Sequence, residues 1–423
     1  MNGIHNNGFV KFNEYELSNG LKVILSRDES IPTVAINLCY HVGSKDEETN
    51  KKGFAHLFEH LMFEGSKNLP PGVYDKMCVM AGGENNAYTT EDKTNYFIIM
   101  PSHQLERGLW LESDRMLGFA ITEDAFNTQK EVVKEEKKQV FDNRPYGSLS
   151  MEFMPRLFKN NGYGWDTIGD MDDLEAATMD DAKEFYQKYY IPNNAVLTLT
   201  GDFDPEYTMK LIEKYFGSIP RGKDVIRKEF LEEDPGSEIK DVIFDNVQCP
   251  GIFIGYRTPA ENRGSYFTLD LITDILSSGD SSRFYKSLIY DKQLCSEAGC
   301  YIDPKEQASV LYVYAILMPG KSVEKTAAEI DRIVDELVSG GAKENEIQKI
   351  KNRIESRYTY RKQTLLSKAD QLSHYKMFFN DPELINTNVK KYDKINGEEI
   401  KAAALKYLTR NNRVALHYLP KEN

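Results

Sequence analysis

The chain has no apolar run approaching the roughly 20 residues that a membrane-spanning helix needs. It has no basic block either. Its 66 acidic and 53 basic residues give a net charge of −13, which argues against nucleic acid as a partner. Cysteine is sparse. Cys39, Cys78, Cys249, Cys295 and Cys300 are odd in number and form no Cys-x-x-Cys pair, so free thiols in a reducing compartment are expected rather than a disulfide framework. Residues 1–12 lack a charged stretch followed by an apolar one, so no export signal is expected. The expected location is the cytoplasm, with the periplasm as the alternative for a chain whose signal has been removed. What remains, 40% hydrophobic and 28% charged over 423 residues, describes a globular, water-soluble chain long enough for two or three domains.

One stretch organises the rest: His56-Leu57-Phe58-Glu59-His60. Histidines four apart on a helix project from one face, and Glu59 lies one turn from His56. Two imidazoles aimed at one point beside a carboxylate fit a zinc ion and a general base. The flanking Phe54, Ala55, Leu57, Phe58, Leu61, Met62 and Phe63 embed this helix in a core, where unpartnered polar groups are costly. The plainer alternative is two satisfied core histidines and an exposed glutamate.

Around this stretch, strands and helices mix. Asn19-Gly20 marks a hairpin between 15–17 and 21–25. Strands are expected at 33–41, 86–90, 94–99 and 195–200, and helices at 73–81, 102–119, 123–140, 180–190 and 205–216. A polar Pro/Gly stretch follows, and then the theme repeats: strands at 251–256, near Cys300, at 310–318 and 414–419, with helices at 266–277, 283–291, 323–339 and 344–362. The expected division is a zinc-binding domain at 1–220, a linker at 221–243, and a similar second domain at 244–423. The expected fold class is α+β: two similar domains, each a mixed, mostly antiparallel sheet with helices mainly on one face. At an offset of 214, His56, Glu59 and His60 fall on Asp270, Thr273 and Asp274, so only the first domain keeps a metal motif.

A catalytic zinc takes three protein ligands and leaves a position for water. Helix 123–140 offers Glu131, Glu135 and Glu136. Val132, Val133 and Val140 lie four before, three before and four after Glu136, which puts Glu136 on the inward stripe and Glu135 toward water. The alternative is that Glu135 and Glu136 are a solvated face.

The motif set resembles the pitrilysin family of inverzincins, which includes insulin-degrading enzymes and mitochondrial processing peptidases. It has the inverted motif His56-x-x-Glu59-His60 and a glutamate 76 residues after His60. Gly43 to Glu47, Asn86 to Thr89 with Thr94 to Phe97, Val132 to Glu136, and Ser281-Ser282-Arg283 match further family segments in order. The length resembles the small members that pair two chains. The resemblance implies a zinc-dependent endopeptidase, with one Zn2+ per chain on His56, His60 and Glu136 and with Glu59 as general base. Extended peptides or small unfolded polypeptides would be held in a clam-like chamber, along the strand Asn86, Ala87, Tyr88 and Thr89. Gln129 stands where the family has a supporting glutamate.

Two departures lie in the second half. The family places an arginine and a tyrosine there, against substrate and oxyanion. Counted from Ser281-Ser282-Arg283, those positions are Ile289 and Ser296. Arg283 and Tyr290 keep the spacing in the wrong register, and Arg283 is read as structural. The expected partner is therefore a related chain supplying the Arg/Tyr pair in a hetero-oligomer, with a homodimer as the alternative. The competing function is a catalytically weak or inactive subunit that serves as a scaffold or peptide binder.

Overall fold

Asn19 and Gly20 turn the first hairpin, with Gly20 at φ 86°, a conformation glycine adopts without a Cβ clash. The Asn19 amide locks the turn by donating to the carbonyls of Phe216 and Ile219. The computed structural model describes residues 9–159, 161–227, 229–230 and 236–421. The expectation of no export signal, and the part of the expected linker at 228 and 231–235, therefore fall largely outside the described residues.

The hairpin strands are Asn13–Glu16 (β1) and Lys22–Arg27 (β2). Thr33–Tyr40 (β3), Glu84–Thr89 (β4), Thr94–Pro101 (β5) and Ala195–Gly201 (β6) complete a six-stranded sheet ordered β1-β2-β6-β3-β5-β4. β2 and β6 run parallel, and the other neighbours are antiparallel. β3 and β6 are buried almost throughout, as befits central strands covered on both faces. Four helices lie between β3 and β6 and bear on the site or its support: Phe54–Leu61 (α1), Val73–Met80 (α2), Leu105–Leu117 (α3) and Glu123–Lys137 (α4).

The second sheet holds Ile239–Asp245 (β7), Gly251–Pro259 (β8), Cys295–Asp303 (β9), Ala308–Leu317 (β10) and Arg413–Pro420 (β11), ordered β7-β11-β8-β10-β9. Here β7 and β11 are the parallel pair. With β1 set aside, both sheets have one topology. The first strand lies beside the fifth, the fifth beside the second, the second beside the fourth and the fourth beside the third. Both are mixed, mostly antiparallel sheets with helices, the expected α+β class.

The chain forms two compact units that do not follow a single cut in the sequence. One comprises Met1–Glu136, Trp165–Lys228 and Arg357–Thr387, and the other Lys137–Gly164, Glu229–Ser356 and Asn388–Asn423. Each half of the chain thus gives a helix to the other half's sheet. Helix Leu149–Leu157 buries Phe153, Met154 and Leu157 in the core of the second sheet with Phe253, Val310 and Leu416. Helix Leu365–Phe379 covers β3 and β6 of the first, where Leu372 and Tyr375 pack with Ile24 and Val196.

The expected linker differs from the structure at its end. Ile239–Asp245 is a strand whose residues alternate between half-buried and exposed, so Val242 and Phe244 of its short apolar run Val242-Ile243-Phe244 face outward, and Lys240, Asp241 and Asp245 give it the polar look of a linker. Helix 123–140 is α-helical only to Lys137 and then widens into a π turn over Lys138–Asp142. Helices 149–157, 365–379 and Gly397–Tyr407 were not expected from the sequence. All five cysteines are free. Among the described residues, no helix is long and apolar enough to cross a membrane.

Candidate metal and catalytic site

The site is built on α1. Leu57, Phe58 and Leu61 are fully buried and fix the helix against the core, and the Tyr96 hydroxyl donates to the Phe58 carbonyl. Its N-terminus is held by a residue from the preceding loop. The Glu47 carboxylate accepts from the backbone N–H of Gly53 at 2.9 Å and of Ala55 at 2.8 Å, and from the Trp165 indole at 2.9 Å. These bonds satisfy donors that a helix start leaves open. Gly53 sits at φ 94° in contact with Gly169, so a side chain at either position would meet the other's backbone. Burial pushes the Glu47 carboxyl up to about 8, against the pull of its three donors.

On the face this creates, His56, His60 and Glu136 offer ligand atoms that all lie within 4.8 Å of one another. Nε2 of His60 is 3.3 Å and Nε2 of His56 3.7 Å from Glu136 Oε2. The rings stand nearly perpendicular, at 84°, with centroids 4.9 Å apart. Burial and the neighbouring His60 push the His56 imidazole down to about 4, so it is neutral at neutral pH. The bond from His60 holds the Glu136 carboxyl below its usual range. Neutral imidazole and ionised carboxylate are the states in which these groups ligate a metal. Two imidazoles and one carboxylate fit a zinc ion, with a fourth position left for water. The set stands apart from the sulfur-rich donors of a structural zinc site.

Glu59 is not one of the three. Its Oε2 accepts from the Thr89 hydroxyl at 2.7 Å. Burial raises its pKa, and the nearby Glu136 charge adds to the rise. That tendency suits a group that must take up and release a proton.

Glu136 reaches the cluster by a different stripe from the expected one. Phe126, Gln129, Lys130 and Val133 are the buried residues of α4, while Val132 is 41% exposed. Glu136 lies three residues after Val133 and follows that stripe, and Glu135 is exposed. Gln129 donates to Glu64 Oε1 at 2.6 Å, just beyond the end of α1. The strand Asn86 to Thr89 lies in β4, the edge of the first sheet. Its residues alternate in direction. Thr89 faces Glu59, whereas the Tyr88 hydroxyl donates to Asp370 of helix 365–379. Asn86 is exposed, and its Oδ1 accepts from the Ala87 N–H.

In the second unit, Ile289 is partly buried, Ser296 is exposed, and Tyr290 is 72% exposed. Arg283 is occupied, donating to the Glu346 carboxylate and the Gly341 carbonyl. The counterpart helix is 266–277. There Asp270 accepts from the Tyr392 hydroxyl at 2.6 Å. The expectation missed Glu47 as the anchor of α1. The signal was present, since Glu47 ends the Gly43–Glu47 segment in the loop that leads to the histidine helix.

Comparison with known proteins gives the family of the chain. Residues 22–170 match the profile described as insulinase (peptidase family M16), and residues 176–354 match the peptidase M16 inactive domain. The chain is 31% identical over 345 residues to the zinc protease PqqE of Helicobacter pylori, covering 81% of this chain and 78% of that one. It superposes on the crystal structure of a protease from Helicobacter pylori with a TM-score of 0.92 and 27% identity, over 97% of this chain and 100% of that one. A peptidase M16 inactive domain from Pseudomonas fluorescens shares the fold, with a TM-score of 0.89 and 16% identity over 98% of each chain. Both halves of the chain are matched, the first with α1 and α4 inside it, and the chain belongs to peptidase family M16, the insulinase family.

Proposed function

We propose that this chain is a zinc-dependent endopeptidase that cleaves extended peptides or small unfolded polypeptides. The observation that carries the reading is the convergence of His56, His60 and Glu136, with Glu59 beside them on the same helix and held by Thr89. His56, His60 and Glu136 hold one zinc per chain, which when bound polarises a peptide carbonyl and lowers the pKa of water. Glu59 takes the proton of the attacking water and delivers it to the leaving amine. Thr89 keeps the Glu59 carboxylate turned toward its task. The free edge of β4 pairs with the peptide backbone by strand addition, which gives affinity without dependence on sequence. Elemental analysis should find one zinc per chain in the wild type and in Glu59→Gln, and none in Glu136→Gln. Turnover of Glu59→Gln should fall by about 10²–10⁴-fold. Full metal occupancy in Glu136→Gln would remove it from the ligand set, and near-normal turnover in Glu59→Gln would remove the base.

The working enzyme is a hetero-oligomer. Ile289 and Ser296 can neither donate to an oxyanion as a charged group nor as a phenol, and Arg283 is committed to Glu346. A homodimer would offer the same pair again, so a related chain bearing arginine and tyrosine completes the site.

A further inference from the structure

We propose that the back of β4, the face turned away from Glu59, carries a substrate subsite. It takes a long peptide side chain ending in a hydrogen-bond donor. This rests on the strand-addition reading above. The structure has a cavity of about 270 Å³ within the first unit, between β4, β5 and the start of helix 365–379. Tyr88, Asn95, Phe97, Leu366, Ser367 and Asp370 line it.

Its polar character comes from a chain of side chains across the back of the sheet. The Ser373 hydroxyl donates to Thr198 Oγ1 at 2.8 Å, and the Asn37 amide donates to Ser373 at 2.9 Å. The Asn95 amide then donates to Asn37 Oδ1 at 2.8 Å. Asn95 is fully buried, and its own Oδ1 ends the chain with no partner. A buried acceptor without a donor is costly, and Asn95 is one of the residues lining the cavity, so an occupant that brings an N–H or O–H to its amide is favoured over one that does not.

Charge plays no part in the choice. The Asp370 carboxylate is already matched by Lys93 Nζ at 2.7 Å and by the Tyr88 hydroxyl. Phe97, Leu366 and the Tyr88 ring supply an apolar wall for the stem of the side chain.

Position links the cavity to a peptide. A strand added to the free edge of β4 turns every second side chain to the back face. Asn95 and Phe97 lie on β5, opposite Tyr88 and Asn86, one strand in from that edge. Strands are about 4.8 Å apart, so a side chain must cross β4 to reach Asn95, and only a long one does. Glutamine and tyrosine meet both demands. Methionine and phenylalanine match their shapes without the donor.

The test uses the full-length Glu59→Gln chain loaded with zinc, which removes turnover from the measurement. Fluorescein-labelled decapeptides of mixed Ala-Ser sequence carry one central Gln, Met, Tyr or Phe, and binding is read by anisotropy. Gln should bind about 10-fold more tightly than Met, and Tyr than Phe, the effect of one buried hydrogen bond. Asn95→Leu should bring both ratios to about one. Because Asn95 is buried in the sheet, Leu366→Trp, which fills the cavity from the half-buried helix side, is the second variant and should do the same. Equal binding of each pair by the parent chain, or ratios unchanged in Leu366→Trp, would overturn the subsite and leave the peptidase reading standing. If none of the peptides binds, both fall.

Discussion

The two sheets share one strand order and differ in the helix that comes after the second strand of that order. After β3 comes a helix of eight residues with His56, Glu59 and His60 on it. After β8 comes a helix of twelve, with Asp270, Thr273 and Asp274 at the matching offset. The first helix has its N-terminus tied by Glu47, while Ser265 at the start of the second makes no side-chain cap bond. Both are held by burial, the first through Phe54, Ala55, Leu57, Phe58 and Leu61 and the second through Leu269, Leu271, Ile272, Ile275 and Leu276. One topology therefore tolerates both solutions. The short helix with His56, Glu59 and His60 on its open face adds hydrogen bonds at its end to that burial. The longer helix relies on burial without such a tether, at about 1.5–3 kcal/mol for each large apolar side chain.

The comparison is broken most forcefully by restoring chemistry to the second unit. Ile289→Arg with Ser296→Tyr should raise peptide turnover of the isolated chain by about 10²–10³-fold, the size of effect that follows loss of one oxyanion donor. Ile289 is only partly buried and Ser296 is exposed, so both replacements have room. An isolated wild-type chain that is already fully active, with no gain from the graft, would show that the second unit's deficit has no consequence and that no partner is needed.

The anchoring of α1 gives the next largest effect. Glu47→Ala leaves the N–H groups of Gly53, Ala55 and Trp165 without their acceptor. Each buried donor left open costs about 1–3 kcal/mol. Urea unfolding should show a loss of at least about 2 kcal/mol, and zinc affinity measured by competition with a chelator should fall with it. Asp270→Asn in the counterpart helix should leave zinc affinity unchanged. An equal loss of zinc in both variants would mean that general destabilisation, and not the tether on α1, sets the affinity.

How much of this was legible in the sequence depends on the range of the interactions. The histidine helix, and the phase that turns Glu136 toward it, were readable because spacing along a helix is local information. Glu136 was reached even though Val132 lies outside the buried stripe, because Val133 alone fixes the phase. The strands of both sheets were readable wherever apolar residues stand together. β7 was the exception: its run Val242-Ile243-Phe244 is short, set among Lys240, Asp241 and Asp245, and at the sheet edge it shows one face to water, so it read as a linker. Nor could the sequence indicate that helices 149–157 and 365–379 cover the sheet of the other half. That exchange is decided by contacts between residues hundreds of positions apart, such as Asn37 with Ser373. The direction of Tyr88 depends on the same exchange, because its partner Asp370 lies on the returning helix.

The exchanged helices also differ in how they are held, and this gives the smallest expected effect. Helix 149–157 is packed by Phe153, Met154 and Leu157 and has one ion pair to its sheet, Arg156 with Asp241. Helix 365–379 has two ion pairs beside its apolar contacts, Lys368 with Asp28 and Asp370 with Lys93, and both of these carboxyls are shifted downward. Burial alone would raise the Asp28 carboxyl, but bonds from Lys368 and Ser30 outweigh it and bring the pKa down to about 2. Burial likewise opposes ionisation of Asp370, and the Lys93 charge beside it carries the net shift downward. A carboxyl whose pKa is lower folded than unfolded adds stability above its unfolded value. That stability is lost as pH falls through the folded value. Acid between about pH 4 and pH 2 should therefore loosen helix 365–379 before helix 149–157. Hydrogen exchange read by mass spectrometry, corrected for the intrinsic rate at each pH, should show protection of 365–379 falling first. Asp28→Asn should remove much of that pH dependence while lowering protection at neutral pH. If both helices lose protection together, the ion pairs do not set the order, and the apolar contacts of Leu372 and Tyr375 hold the returning helix as firmly as Phe153 and Leu157 hold its counterpart.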